Sequence, residues 1–458
     1  MRRHTCTTFL AGKKATIDGS TIVCRVEDYS NNFDPQRFIV VTPEKQPQHY
    51  ESKTTKFKID LPTNALRYTS TPDADSSAGI FGASGINSAN VSMTATETIT
   101  SNPRILSLDP YNSEDGIGEE DFLTLVLPYV KTAKQAVERV GYLLEKHGTY
   151  EANGMAFGDK DEVWYLETIG GHHWAAVRIP DEAYVIAPNR LNITNFDFSS
   201  TATLSSADLK ELIDLNHLNP EEDNYNLRLI FGSSTYRDAH YNNPRAWFVE
   251  QQLSGEQGNK PTDQMLPFIN YPQHKITIQE IKDLMSSHYQ DTEYDPYVVK
   301  EAPFRSIALN RNLELHILQI RNNVDPQISA VQWLAFGPNT VNAVVPFYAN
   351  VEETPRHYRD TKTTFDIKDS YWLNHVIMAI ADQHYQKVES LIEDFSEQVM
   401  TRTLALQHQA DKKFVKQDNI TGFLSKINEQ MAEISYQESM KLLGKLVDYG
   451  FKNAHLQY

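Results

Sequence analysis

Two cysteines occur in this 458-residue chain, Cys6 and Cys24, and the first opens the run Cys6-Thr7-Thr8-Phe9-Leu10. Removal of residues 1–5 would make Cys6 the first residue, so that one amino acid carries both a thiol and a free α-amine. An α-amine has a reference pKa of roughly 7.7–8.0 and exchanges protons with a thiol near neutral pH. Attack on a carbonyl by such a thiol is nucleophilic catalysis of the acyl-transfer kind. The bland alternative is a small apolar residue packed in a first strand.

Nineteen positions later, Arg25-Val26-Glu27-Asp28 closes a second apolar run. Asp18-Gly19-Ser20 is a turn signal between the two runs, so residues 7–11 and 21–25 read as a hairpin. The strand ends of a hairpin bring Arg25 and Asp28 beside Cys6. A guanidinium near a thiol favours the thiolate, and a carboxylate near an α-amine orients it. A surface ion pair at a strand end is the competing reading, and such pairs contribute little.

The surrounding pattern supplies elements to hold these groups. Residues 37–42 and 78–98 continue a strand-rich opening, with Gly82 and Gly85 breaking the second stretch. Helical spacing follows over 119–130 and 133–147, where Ala133, Ala136, Val137, Val140, Leu143 and Leu144 fall on one face. Residues 153–157, 162–168, 174–179 and 184–187 return to strand composition. Helices are expected over 205–218 (N-cap Ser205 or Ser206), 245–253 and 277–287, the last with a Thr277/Glu280 capping box. Residues 255–272 read as a loop, 306–321 and 330–337 as strands, and 371–408 and 422–452 as amphipathic helices. This order predicts sheets covered by helices, an α+β class.

Composition narrows the function. The net charge of −17 excludes a nucleic-acid binder, which needs clustered Lys and Arg. Two cysteines cannot build a disulfide framework, which points to a reducing compartment. The longest apolar run, 122–130, is interrupted by Pro128 and is far short of the roughly 20 residues of a membrane span. A cytoplasmic protein with no membrane partner is expected. Other chemistry is poorly represented. His172 and His173 are adjacent, and alternation would send them to opposite faces, a poor metal pair. Gly82-Ala83-Ser84-Gly85 is not a nucleophile elbow, and residues 255–260 do not complete a phosphate loop. Alternation turns Cys24 away from Arg25 into the core, and Trp164, Trp174 and Trp333 read as core residues.

Taken together, Cys6-Thr7-Thr8, Asp18-Gly19-Ser20-Thr21 and Arg25-x-x-Asp28 resemble the bacterial dipeptidase A family of N-terminal-nucleophile cysteine hydrolases. Three further stretches are similar to that family: Gly85-Ile86-Asn87 through Ala95-Thr96-Glu97-Thr98, Tyr241-Asn242-Asn243-Pro244-Arg245-Ala246-Trp247, and His316-Ile317-Leu318-Gln319-Ile320-Arg321. The resemblance runs from Cys6 to about Tyr348, and the helical tail is similar in character. It implies a four-layer αββα sandwich with a helical C-terminal extension, divided into a propeptide 1–5, a hydrolase core 6–365 and a helical region 366–458. It implies a self-processing cysteine peptidase acting on dipeptides, with no metal or organic cofactor, assembled as a homo-oligomer. Cys6 would be the nucleophile, with Arg25 and Asp28 beside it, Asn189 as an oxyanion donor and Arg245 as a further site arginine. Acylase relatives carry asparagine at a second oxyanion position, where this sequence places Glu97. A carboxylate there could take a substrate ammonium. Two alternatives stay open at this level: an amidase of the same fold acting on acylated amines, and a non-catalytic oligomeric scaffold.

Overall fold

Strand Thr5–Ala11 pairs antiparallel with Thr21–Asp28 in a computed structural model that describes residues 5–29, 33–255 and 258–454. The register sets Thr5 opposite Asp28, Cys6 opposite Glu27 and Thr8 opposite Arg25. This hairpin lies inside a seven-stranded antiparallel sheet. Tyr184–Pro188 and then Ile269–Asn270 extend it on the Thr5–Ala11 side, and Asn312–Ile320, Ala330–Phe336 and Val345–Tyr348 on the other. A second antiparallel sheet of six strands runs in the order Thr203–Ser205, His173–Ile179, Val163–Ile169, Asn153–Gly158, Ser92–Thr98, Ser84–Ile86.

Strand alternation sorts the core into layers. Leu10, Val23 and Leu318 of the first sheet share one cluster with Ala156, Tyr165 and Ala175 of the second. Phe9, Cys24 and Ile317 point the other way, into a cluster built with helices Asn243–Ser254, Ile278–Met285, Ser370–Ala381, Tyr385–Lys413 and Ile420–Lys452. On the far face of the second sheet, Met155, Phe157 and Trp164 pack against Glu119–Val126 and Ala133–His147. Strands covered on both sides bury nearly every residue, as Asn312–Ile320 does. Among the described residues no helix is long and apolar enough to cross a membrane.

Several expected boundaries move. The strand expected over 78–98 is two strands, because Asn87 accepts from the Ala89 and Val91 amides and Asn90 adopts φ 59° to close a turn. Gly85 passes so close to the neighbouring backbone that a Cβ would stand 2.0 Å from the Thr69 carbonyl oxygen. The helix expected over 205–218 is only Leu209–Leu215 after Asp208; residues 203–205 instead form an edge strand that pairs with His173–Ile179. Residues 306–311 are not strand: Asn312 turns back to accept from the Leu309 amide, and the strand begins at Asn312. The loop expected over 255–272 contributes the edge strand Ile269–Asn270, and 256–257 lie outside the described residues. The tail helix breaks at a 3₁₀ turn, Asp382–His384. The capping box at Thr277 and Glu280 forms as the spacing predicts.

The C-terminal helices are fastened to the sheet by a polar clamp as well as by apolar packing. Buried Asn428 accepts from the Tyr348 amide and donates to the Tyr348 carbonyl, both at 2.9 Å. It completes the backbone hydrogen bonding of an edge strand that would otherwise be buried unpaired.

Candidate active site

Cys6 lies on the face of its strand that looks toward the second sheet. Its thiol donates to the Thr96 carbonyl at 3.5 Å, and Arg25 Nη1 donates to its Sγ at 2.9 Å. Arg25 is fully buried and its donors are all directed. Nη1 also reaches Thr96 O at 2.8 Å, Nη2 reaches the Ala83 and Ala95 carbonyls at 3.0 and 3.2 Å, and Nε donates to Thr94 Oγ1 at 2.7 Å. Behind Thr94 stands His316, its Nε2 2.8 Å from Thr94 Oγ1 and its Nδ1 2.7 Å from Glu314 Oε1. Glu314, His316, Thr94, Arg25 and Cys6 thus form one continuous buried polar chain between the sheets.

The expected stabilisation of a thiolate by Arg25 is present but outweighed. Cys6, preceded by Thr5 in the strand, is fully buried, and burial pushes its thiol well above the ordinary value while Arg25 pulls it down. Cys24 faces the opposite side of the sheet and is also held protonated by burial.

Asp28 meets the chain one residue before Cys6. It accepts from the Thr5 hydroxyl and from Arg305 Nη2, and from Arg311 Nε at 3.2 Å. Arg245 approaches from helix Asn243–Ser254. Its Nη1 donates to the Cys6 carbonyl and, at 2.8 Å, to Thr7 Oγ1. Its Nη2 donates to Asn189 Oδ1 at 2.9 Å and Asn242 Oδ1 at 2.7 Å, and its Nε to the Tyr241 carbonyl at 3.0 Å. Burial lowers the Arg245 pKa to about 10, with Arg305 adding to the effect. Asn189 follows strand Tyr184–Pro188 and spends one amide hydrogen on the Thr98 carbonyl at 3.0 Å. Glu167, from the second sheet, accepts from the Asn192 and Ile193 amides and pins the loop that carries Asn189.

Glu97 is the least satisfied group. Its Oε2 accepts from Thr8 Oγ1 at 2.7 Å, whereas its buried Oε1 has no hydrogen-bond partner among the described residues. Burial raises its pKa to about 7, against the pull of Arg245 and the Thr8 hydroxyl.

The six residues singled out from the sequence are therefore gathered around one strand end. Arg305, Arg311, Thr94 and Glu314 were not foreseen, and His316 was noted only within a motif. None carries a local signal: Arg305 and Arg311 come from an irregular segment, and Thr94 meets His316 from 222 positions away. The reading of His172 and His173 needs correction. His172 precedes the strand rather than alternating within it, and both Nδ1 atoms converge on Asp109, at 2.9 and 2.7 Å. Trp164, Trp174 and Trp333 are core residues. Among the described residues no group of three or more His, Cys, Asp or Glu side chains is placed to hold a metal ion. Of the expected propeptide, residues 1–4 lie outside the described residues.

A family model described as peptidase family C69 matches residues 5–398. The full chain is 50% identical over 466 aligned residues to the probable dipeptidase B of Lactococcus lactis subsp. lactis (strain IL1403), covering 98% of that protein. It is also 50% identical over 471 residues to dipeptidase A of Lactobacillus helveticus, covering 99% of it. A more distant similarity, 32% over 359 residues, links 77% of this chain to 82% of a probable dipeptidase of Salmonella dublin.

Proposed function

The chain belongs to peptidase family C69, and from that premise we propose that it is a cysteine dipeptidase whose nucleophile is Cys6, uncovered by loss of residues 1–5. The observation that carries this reading is the arrangement at one strand end: Arg25 Nη1 lies 2.9 Å from Cys6 Sγ, and Asp28 is paired with Thr5 across the scissile junction. The layering of two sheets between helices supports the four-layer N-terminal-nucleophile sandwich.

Processing begins when the Cys6 sulfur attacks the Thr5 carbonyl. The Thr5–Cys6 C–N bond breaks, the acyl group passes to sulfur, and water hydrolyses the thioester. The freed α-amine then lies beside Asp28, whose carboxylate orients it. An adjacent ammonium and the loss of cover both favour the thiolate, so processing also activates the nucleophile.

In turnover the thiolate attacks the peptide carbonyl of a dipeptide. Asn189 and a backbone N–H hold the developing oxyanion. The Cys6 ammonium gives its proton to the leaving amine as the C–N bond breaks. Water then attacks the thioester, returns the proton to the amine and releases the first amino acid. Arg245, bound to the Cys6 carbonyl and to Asn189, holds nucleophile and oxyanion donor in one frame. Glu97 takes the substrate ammonium, because its buried Oε1 has no partner among the described residues. That carboxylate also disfavours the amidase alternative, since an acylated amine has no ammonium to offer.

The acidic charge and the two free cysteines fit a cytoplasmic enzyme. The last helix leaves Val447 and Phe451 exposed, which suits contact with a second copy. The test of the central reading is Cys6→Ala. The variant should be folded, inactive and still joined to residues 1–5 by intact mass; normal removal of those residues would refute self-processing.

A further inference from the structure

Four arginines surround Tyr241, immediately beside Thr5. The guanidinium carbons of Arg237, Arg245 and Arg305 lie 4.9, 5.3 and 5.3 Å from the centre of its ring, and Arg311 Nη2 donates to its hydroxyl at 3.2 Å. Among the described residues only one carboxylate, Asp28, is within ion-pair reach of any of the four, and Arg305 and Arg311 share it. The positive charge is thus in clear excess.

Arg245 is fully committed, with its donors spread over five protein oxygens. The other three are not. Among the described residues, Arg305 Nε is buried without a hydrogen-bond partner, and Arg311, its side chain 29% exposed, donates only from Nε and Nη2. Arg237 is exposed, and among the described residues its side chain makes no hydrogen bond. Cations crowded on one ring, with open donors and too few counter-charges, suit an anionic ligand with planar oxygens.

The mechanism says which anion. The leaving amine must take its proton from the Cys6 α-amine, so the leaving residue lies on the side of that nitrogen. Thr5 occupies this side until processing, with its hydroxyl on Asp28. We propose that Arg311, Arg237 and Arg305, grouped on Tyr241, form the subsite for the α-carboxylate of a dipeptide's second residue, in space that Thr5 vacates. The proposal rests on Cys6 being the nucleophile and explains why dipeptides would be chosen. In a longer peptide a neutral amide would meet these arginines, and the terminal carboxylate would lie about 3.3–3.6 Å per residue further on.

The test compares one dipeptide with the same dipeptide carrying a C-terminal carboxamide, using processed enzyme. The wild type should prefer the free acid in kcat/KM by about 10- to 100-fold, the range expected of hydrogen bonds to a charged group. Arg311→Met and Arg237→Gln should each shrink that preference, chiefly through KM. Arg237 is exposed, so its variant folds even if Arg311→Met does not. A wild-type ratio near one, or a ratio unchanged in Arg237→Gln and in any folded Arg311→Met, overturns the proposal. Alkylation of Cys6 with iodoacetamide tests the underlying reading separately: turnover that survives it refutes the nucleophile, while an unchanged acid-to-amide ratio refutes only the arginine subsite.

Discussion

Thr94 has one hydroxyl and two demanding neighbours. Its oxygen accepts from Arg25 Nε and stands 2.8 Å from His316 Nε2, so it fixes the guanidinium whose other arm reaches Cys6 Sγ. Thr94→Val keeps the shape and removes the hydroxyl. Iodoacetamide should then label Cys6 of the processed enzyme about tenfold more slowly at pH 7, as expected for losing one charged hydrogen bond, while Thr94→Ser should keep the wild-type rate. An unchanged labelling rate in Thr94→Val would remove Thr94 and His316 from the account. Glu97 carries a second prediction. Its pKa is raised to about 7, so it is protonated below that pH and offers no charge to a substrate ammonium. The kcat/KM for dipeptides should therefore rise as pH increases through about 7, on a limb that Glu97→Gln abolishes together with a raised KM. A Gln variant with the wild-type profile would show that Glu97 does not touch substrate.

At the scale of elements, the sequence was most readable where local pattern and tertiary environment agree. The hairpin of Thr5–Ala11 and Thr21–Asp28 was legible because apolar runs flank a turn signal, and strand pairing alone then carries Arg25 and Asp28 to Cys6. The capped helix Ile278–Met285 was legible for the same reason: its start signal is entirely local. The start of the helix expected over 205–218 failed because sheet pairing claims Ser205, and residues 306–311 failed as strand because a side-chain turn displaced the strand start. The buried chain from Glu314 to Arg25 could not be read, since its members come from strands in two different sheets. Asn428 shows how a single helix residue can serve a distant strand. Asn428→Ala leaves the backbone N–H and C=O of Tyr348 buried without Asn428 as partner, which should cost about 2–4 kcal/mol. Urea denaturation would measure it, and a loss below about 0.5 kcal/mol, typical of surface positions, would mean that apolar packing alone docks the tail.

For the molecule as a whole, the two sheets place a buried, protonated thiol at the end of a strand whose preceding residue is held by Asp28. On the proposed reading, such a site is poorly armed while Thr5 remains and well armed once it has gone, which would make this chain the precursor. Composition could suggest an acidic protein that does not bind nucleic acid, and motif spacing could suggest the nucleophile, but the arginine cluster on Tyr241 depends on two segments, 237–245 and 305–311, that converge only in the folded chain. The most direct measurement is the intact mass of purified wild-type protein with full dipeptidase activity. A mass corresponding to a chain that begins at Cys6 is predicted; full activity in a protein that retains Met1 or Arg2 at its start would contradict the account.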